Sequence, residues 1–221
     1  MFAAVSNGTG GWILVLAAAL LGAALSPVTE LLIAKLLPRL GGTPIHAARI
    51  TTMALTGAVC AAFALRFGIS WILPAFLFLA VLGVQLARID ASLHLLPNPL
   101  VGLLLAGGLF LFLAPAIFHQ QADNMLRALL GMLILFAGYL ILGIISPGAI
   151  GMGDVKLAAP VGLYLGYLGW THLLYGGLLG FILNGVVTVA VLAGKRRNSV
   201  SEVPHGPSML GATLAAALFL Q

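Results

Sequence analysis

Acidic residues are almost missing from this sequence. Of its 221 residues only five are Asp or Glu, against ten Lys or Arg. Charged side chains make up 7% of the chain, where soluble domains carry roughly a quarter. A soluble globular domain is therefore excluded. Cysteine occurs once, at Cys60, which excludes an intrachain disulfide and a cysteine zinc cluster. Inside its apolar run Cys60 reads as a small packed hydrophobe. The chain also lacks HExxH, GxSG and any Gly-rich phosphate loop following a strand pattern, so zinc-protease, serine-protease and nucleotide-binding signatures are missing.

What the chain has in abundance is hydrocarbon. Hydrophobic residues make up 62% of it and its mean hydropathy is +1.16. Apolar runs long enough to cross a roughly 30 Å bilayer core recur along its length. The ten-residue alternation of membrane barrel strands does not occur. The fold class is all-α: a polytopic helical membrane bundle of about eight spans, over 12–37, 50–66, 69–88, 99–118, 125–145, 155–168, 172–194 and 207–220. The sixth is short, and Pro160, Gly162 and Gly166 weaken it as a helix; a kink or a deep start is expected there. The first run lacks a basic segment before it, so it reads as a retained helix rather than a signal peptide. No linker or internal repeat divides the chain, which reads as one membrane domain over 1–221.

The positive charges orient the bundle. Lys35, Arg39, Arg49, Arg88, Lys156, Lys195, Arg196 and Arg197 fall at odd-numbered connections, and only Arg66 and Arg127 at even ones. The positive-inside rule puts the first group in the cytoplasm and both termini outside. The net charge of +5 is thus a topology signal, and no nucleic-acid partner is expected.

The five acids are Glu30, Asp90, Asp123, Asp154 and Glu202. Asp123 and Glu202 read as loop or capping charges. Glu30 lies within the first span, where a charge costs about 3 kcal/mol. It calls for a partner, with Lys35 or a polar cavity as the candidates.

Asp90 stands in "LARIDASLHLLPNPL" at the end of the third span, and Asp154 in "SPGAIGMGDVKLAAP" at the start of the sixth. Both therefore return to the cytoplasmic side. Two neighbouring carboxylates resist double ionisation. One can then act as base on water while the other protonates the scissile amide, with no metal required. The simpler readings are an N-cap for Asp154 and pairing of Asp90 with Arg88 or His94. Gly151 and Gly153 would admit a substrate backbone beside Asp154, or close helix packing. Pro147–Gly148 ends the preceding helix. Asn98 is the expected N-cap of the fourth helix, with Pro97 in the turn before it and Pro99 in the first helical position. Lys156 is expected to snorkel towards headgroups. His94 and His205 lie on the same side, without metal-ligand spacing.

"GMGDVKL" with the upstream "D…LPN" resembles the GxGD aspartic peptidases of the membrane, specifically the type IV prepilin peptidases. The core of the resemblance spans roughly 73–191. "VPHGP", Val203 to Pro207, is similar to the proline–x–glycine–proline element before that family's last helix, and "SPVTELLIAKLLPRL" to the end of its first helix. The resemblance implies cleavage of the short basic leader of prepilins or pseudopilins, at the cytoplasmic face of a prokaryotic inner membrane. It makes Asp90 and Asp154 the catalytic pair, Gly151 and Gly153 the motif glycines, and no cofactor necessary. Many bacterial members carry a CxxC-containing insertion and methylate the new N-terminus. The first connection here, about 38–49, is short and has no cysteine, so methylation is not expected.

Two other readings use the same acids. A presenilin-like intramembrane protease would want a Tyr before Asp90, where Ile89 stands, and a Pro-Ala-Leu element after Asp154, which is absent. A proton- or ion-coupled transporter would want its acids near the bilayer midplane rather than at one surface.

Overall fold

The computed structural model describes residues 9–145, 150–194 and 204–220. They form eight α-helices: α1 Thr9–Leu36, α2 His46–Phe67, α3 Leu73–Leu93, α4 Asn98–Phe118, α5 Ala122–Ile145, α6 Met152–Leu168, α7 Trp170–Gly194 and α8 Gly206–Phe219. A single 3₁₀ turn, Pro38–Leu40, follows α1. No strand occurs among the described residues. Six helices (α1 to α5 and α7) are long and apolar enough to cross a membrane. At 17 and 14 residues, α6 and α8 are shorter. The protein is a polytopic helical membrane bundle.

The short helices are central. Eleven residues of α6 are buried, from Val155 through the unbroken run Pro160–Tyr167, and α3 is buried along most of its length. α8 packs on α3, α6 and α7, while α4 and α5 cover α6 from other sides. The remaining helices turn large apolar side chains outward, among them Leu20, Phe110, Ile144 and Val189. In water such a surface would be a liability; against lipid tails it carries no penalty, which is why the chain needs so few charges.

The sixth span is short, as expected, and its glycines also have a packing role. A Cβ on Gly162 would lie 2.2 Å from the Gly131 carbonyl oxygen, and one on Gly166 2.7 Å from that of Arg127. α5 and α6 meet backbone to backbone, which only small residues permit. The glycines lower helix propensity but create the most extensive helix pair in the bundle, and Pro160 lies within the continuous helix.

Glu30 has a partner, though neither of those expected. Arg49 Nε donates to its Oε2 at 3.2 Å, from α2. Lys35 is five residues along α1, off the face that i+3 and i+4 neighbours share. Close by, Gln85 Nε2 donates to the Ser26 carbonyl and lies 3.2 Å from its Oγ, and Arg88 grips Gln85 Oε1 through Nε and Nη2. These two polar links tie α1 to α2 and α3. At the opposite end, the two basic residues outside the main charge set are also occupied. Arg66 donates to the Leu220 carbonyl, and Arg127 to those of Gly166 and Tyr167. Each closes carbonyls at a helix C-terminus that lack partners within the helix.

Cys60 is buried against the core, and Asp123 lies in the first turn of α5, where an anion suits the helix dipole. Pro147, Gly148, Lys195, Arg196, Arg197 and Glu202, with both chain ends, lie outside the described residues.

Candidate active site

The C-terminal end of α3 and the first turn of α6 meet at one open cavity of about 450 Å³. Asp90, His94, Leu96, Pro97, Asn98, Gly151, Gly153 and Asp154 all line it. Two acids 64 residues apart in the chain are thus brought to a single cavity. They are close enough for the charge on Asp90 to act on Asp154.

Each carboxylate is placed by backbone. Asp90 sits three residues before the end of α3, on the side facing α8, and is buried. Its Oδ2 accepts a hydrogen bond from the backbone N–H of Gly206 at 3.1 Å. Gly206 is the first residue of α8, so the carboxylate stands at a helix N-terminus, where free N–H groups and the dipole favour an anion. A Cβ on Gly206 would come within 2.6 Å of that oxygen and 3.1 Å of Asp90 Cγ. Any side chain there would push the Asp90 carboxylate aside. Arg88, offered above as a pairing partner for Asp90, is turned to Gln85 instead. His94 does lie within electrostatic reach of Asp90; it ends α3 in the left-handed conformation, φ 51°.

Asp154 is the third residue of α6, and the N-cap is Gly151. Asp154 is therefore not the N-cap that the simpler reading allowed. Its carboxylate turns back towards the Gly151 backbone N–H, as an acid in the first turn does in a capping box. Gly151 is exposed on the cavity wall. Gly153 fills a different need: a Cβ there would sit 3.1 Å from Leu96 Cβ, so its lack of a side chain seats α6 on the α3–α4 turn.

The α4 start is shifted by one residue from the sequence expectation. Pro97 is the N-cap, buried and extended, and Asn98 and Pro99 are the first two helical residues. Asn98 is released from capping. Its Oδ1 accepts from Lys156 Nζ at 3.0 Å, so Lys156 bridges α6 to α4 at the cavity rim rather than simply reaching for headgroups.

Two site residues escaped sequence reasoning as individuals. Gly206 stood in the quoted "VPHGP", but nothing local signals a contact with a residue 116 positions earlier. Tyr139, on α5, lies within electrostatic reach of Asp154 and meets His205 Nε2 through its hydroxyl at 2.9 Å. Burial holds the His205 imidazole below its ordinary pKa. Among the described residues no group of three or more His, Cys, Asp or Glu is arranged to hold a metal.

Residues 76–193 match the type IV leader peptidase family, a stretch that contains both aspartates and the whole α3–α6 site. The chain belongs to that family. Curated relatives include proteins named prepilin leader peptidase/N-methyltransferase. That of Bacillus subtilis (strain 168) is 29% identical over 168 residues, covering 75% of this chain and 63% of the relative. That of Aeromonas hydrophila is 29% identical over 177 residues, covering 80% and 60%. That of Stutzerimonas stutzeri is 30% identical over 155 residues, covering 70% and 52%. The matched part of this chain thus spans between half and two thirds of these relatives' lengths. No solved structure gives a significant match.

Proposed function

We propose that this family member is a membrane aspartic endopeptidase that removes the leader peptide of type IV prepilin-like proteins. The observation carrying the proposal is the convergence of Asp90 and Asp154 on one open cavity, in a chain with only five acids. Nothing in the packing of α3 and α6 demands two acids at one opening, and their mutual repulsion opposes it.

Two such carboxylates share a proton at rest. The ionised one takes a proton from water as its oxygen attacks the scissile carbonyl; the neutral one gives its proton to the carbonyl oxygen. Collapse of the tetrahedral intermediate breaks the C–N bond, and the proton taken from water passes to the leaving amine. The pair regains its starting protonation once the second carboxyl group recovers its proton from the collapsing diol. Gly206 fixes one oxygen of Asp90 throughout. The exposed Gly151 edge leaves a backbone beside Asp154 along which an extended substrate segment can lie, as the glycine spacing suggests.

The charge distribution supports a site facing the cytoplasm, with the protein in the inner membrane of a prokaryote. There a basic leader and its following apolar helix would meet the cavity and the bilayer together. Methylation of the product is not part of this reading, because the short connection between α1 and α2 carries no cysteine.

The test is direct. Purified protein in detergent is incubated with a synthetic prepilin-like substrate: a basic leader, a glycine, then an apolar helix. Mass spectrometry is expected to find a single cut just after the glycine, unaffected by chelator. A substrate left intact, or a cut within the apolar helix, would overturn the proposal.

A further inference from the structure

Gly206 poses a mechanical problem. Its N–H holds Asp90 Oδ2 at 3.1 Å, yet glycine has no side chain to anchor itself, and it stands at the start of a helix of 14 residues. Whatever fixes that amide must act through its neighbours. Pro207 restricts the backbone on one side. On the other is His205, the N-cap residue, whose side chain makes no capping bond to α8.

His205 is engaged elsewhere. Its Nε2 lies 2.9 Å from the hydroxyl of Tyr139 on α5. The Tyr139 ring is buried and stacks on Phe181 of α7, with centroids 5.0 Å apart, and Phe181 lies 5.4 Å from the His205 ring. Two helices, α5 and α7, therefore contribute to one aromatic clamp around the residue that precedes the Asp90 donor. Tyr139 is also near enough to Asp154 to feel its charge. A buried phenol needs a hydrogen-bond partner, but a partner inside α5 or α7 would have met that need without reaching the start of α8.

We infer that Tyr139 and His205 are positioning residues for the aspartate pair: their hydrogen bond fixes the first residue of α8 so that the Gly206 amide holds Asp90 in its working orientation towards Asp154. The inference rests on the proposed peptidase reading. Neither residue touches substrate; both act through Gly206.

The test is a double-mutant cycle read in kcat and KM with the prepilin-like substrate in detergent, alongside the melting temperature of every variant. Tyr139→Phe keeps the ring on Phe181 and removes only the hydroxyl; His205→Leu removes the other partner. Each is expected to lower kcat about 3- to 10-fold, the worth of one hydrogen bond, with KM within about twofold. The double variant is expected to be no worse than the worse single, because both break one bond. His205→Gln, whose amide reaches the Nε2 position, is expected to recover most of the loss. Unchanged kcat in the single variants, losses that multiply, losses confined to KM, or kcat that merely follows melting temperature would each overturn the inference. Asp90→Asn and Asp154→Asn are measured beside them. If those two still cleave, the peptidase reading itself has failed; if they are dead while the clamp variants are unimpaired, only the positioning role has.

Discussion

Replacing Gly206 by alanine should damage catalysis far more than folding. The added Cβ would lie 2.6 Å from Asp90 Oδ2, where ordinary contact begins at 3.4 Å. The carboxylate, as the flexible partner, must retreat by roughly 0.8 Å. That movement breaks or bends the 3.1 Å bond from the Gly206 amide. A hydrogen bond to a charged group contributes about 1.5–3 kcal/mol, and misplacing a reacting group by about 1 Å costs on the order of 100-fold. Together these set an expected fall in kcat of about 10- to 150-fold. Stability should fall by no more than the worth of that one bond, and part of the loss is offset because the Gly206 backbone is not in the left-handed region and alanine suits a helix better than glycine does. The assay is cleavage of the prepilin-like substrate at saturation, with thermal unfolding in detergent as the control. A Gly206→Ala protein that melts with the wild type and keeps kcat within about threefold would refute the role given to this amide.

Three further outcomes are expected. Gly162→Ala drives a Cβ into the Gly131 carbonyl at 2.2 Å, backbone against backbone, and should destabilise the bundle by about 1–3 kcal/mol, seen as earlier unfolding in detergent. Arg49→Gln leaves the buried Glu30 carboxylate without its ion-pair partner. The cost should be about 2–3 kcal/mol, below the ~3–5 of fully buried pairs because the Arg49 side chain is 30% exposed, and most of it should return in the Glu30→Gln/Arg49→Gln double variant. His205 gives stability a pH dependence: burial lowers its folded pKa, so below about pH 6.5 the unfolded chain takes up a proton that the folded one resists. Stability should therefore fall as pH drops through that range and level off below the folded pKa. His205→Gln should flatten this part of the profile; an unchanged slope would contradict it.

The helices and the two acids that share the cavity were readable because their signals are local. An apolar run of twenty residues has one sensible solvent, and an aspartate beside glycines at the edge of such a run stands out against hydrocarbon. What was not readable depends on which helices meet. Gly206 and Asp90 are joined only because α8 packs on α3. Glu30 finds Arg49 only because α1 and α2 pair antiparallel across a short connection. The glycines of α6 look like weak points in isolation and become a packing seam once α5 lies against them. Asn98 has a strong capping preference, yet Pro97 takes the cap and Asn98 binds Lys156, a residue 58 positions away.

The most direct measurement is cleavage of the prepilin-like substrate in membranes by the wild type, Asp90→Asn and Asp154→Asn at equal expression. Each substitution keeps the size and most hydrogen bonds of its side chain but removes the carboxylate. The expected result is that the wild type cleaves and each variant, still folded, loses nearly all activity. Near-normal cleavage by either would mean that its aspartate does no chemistry, and would contradict the shared-proton mechanism.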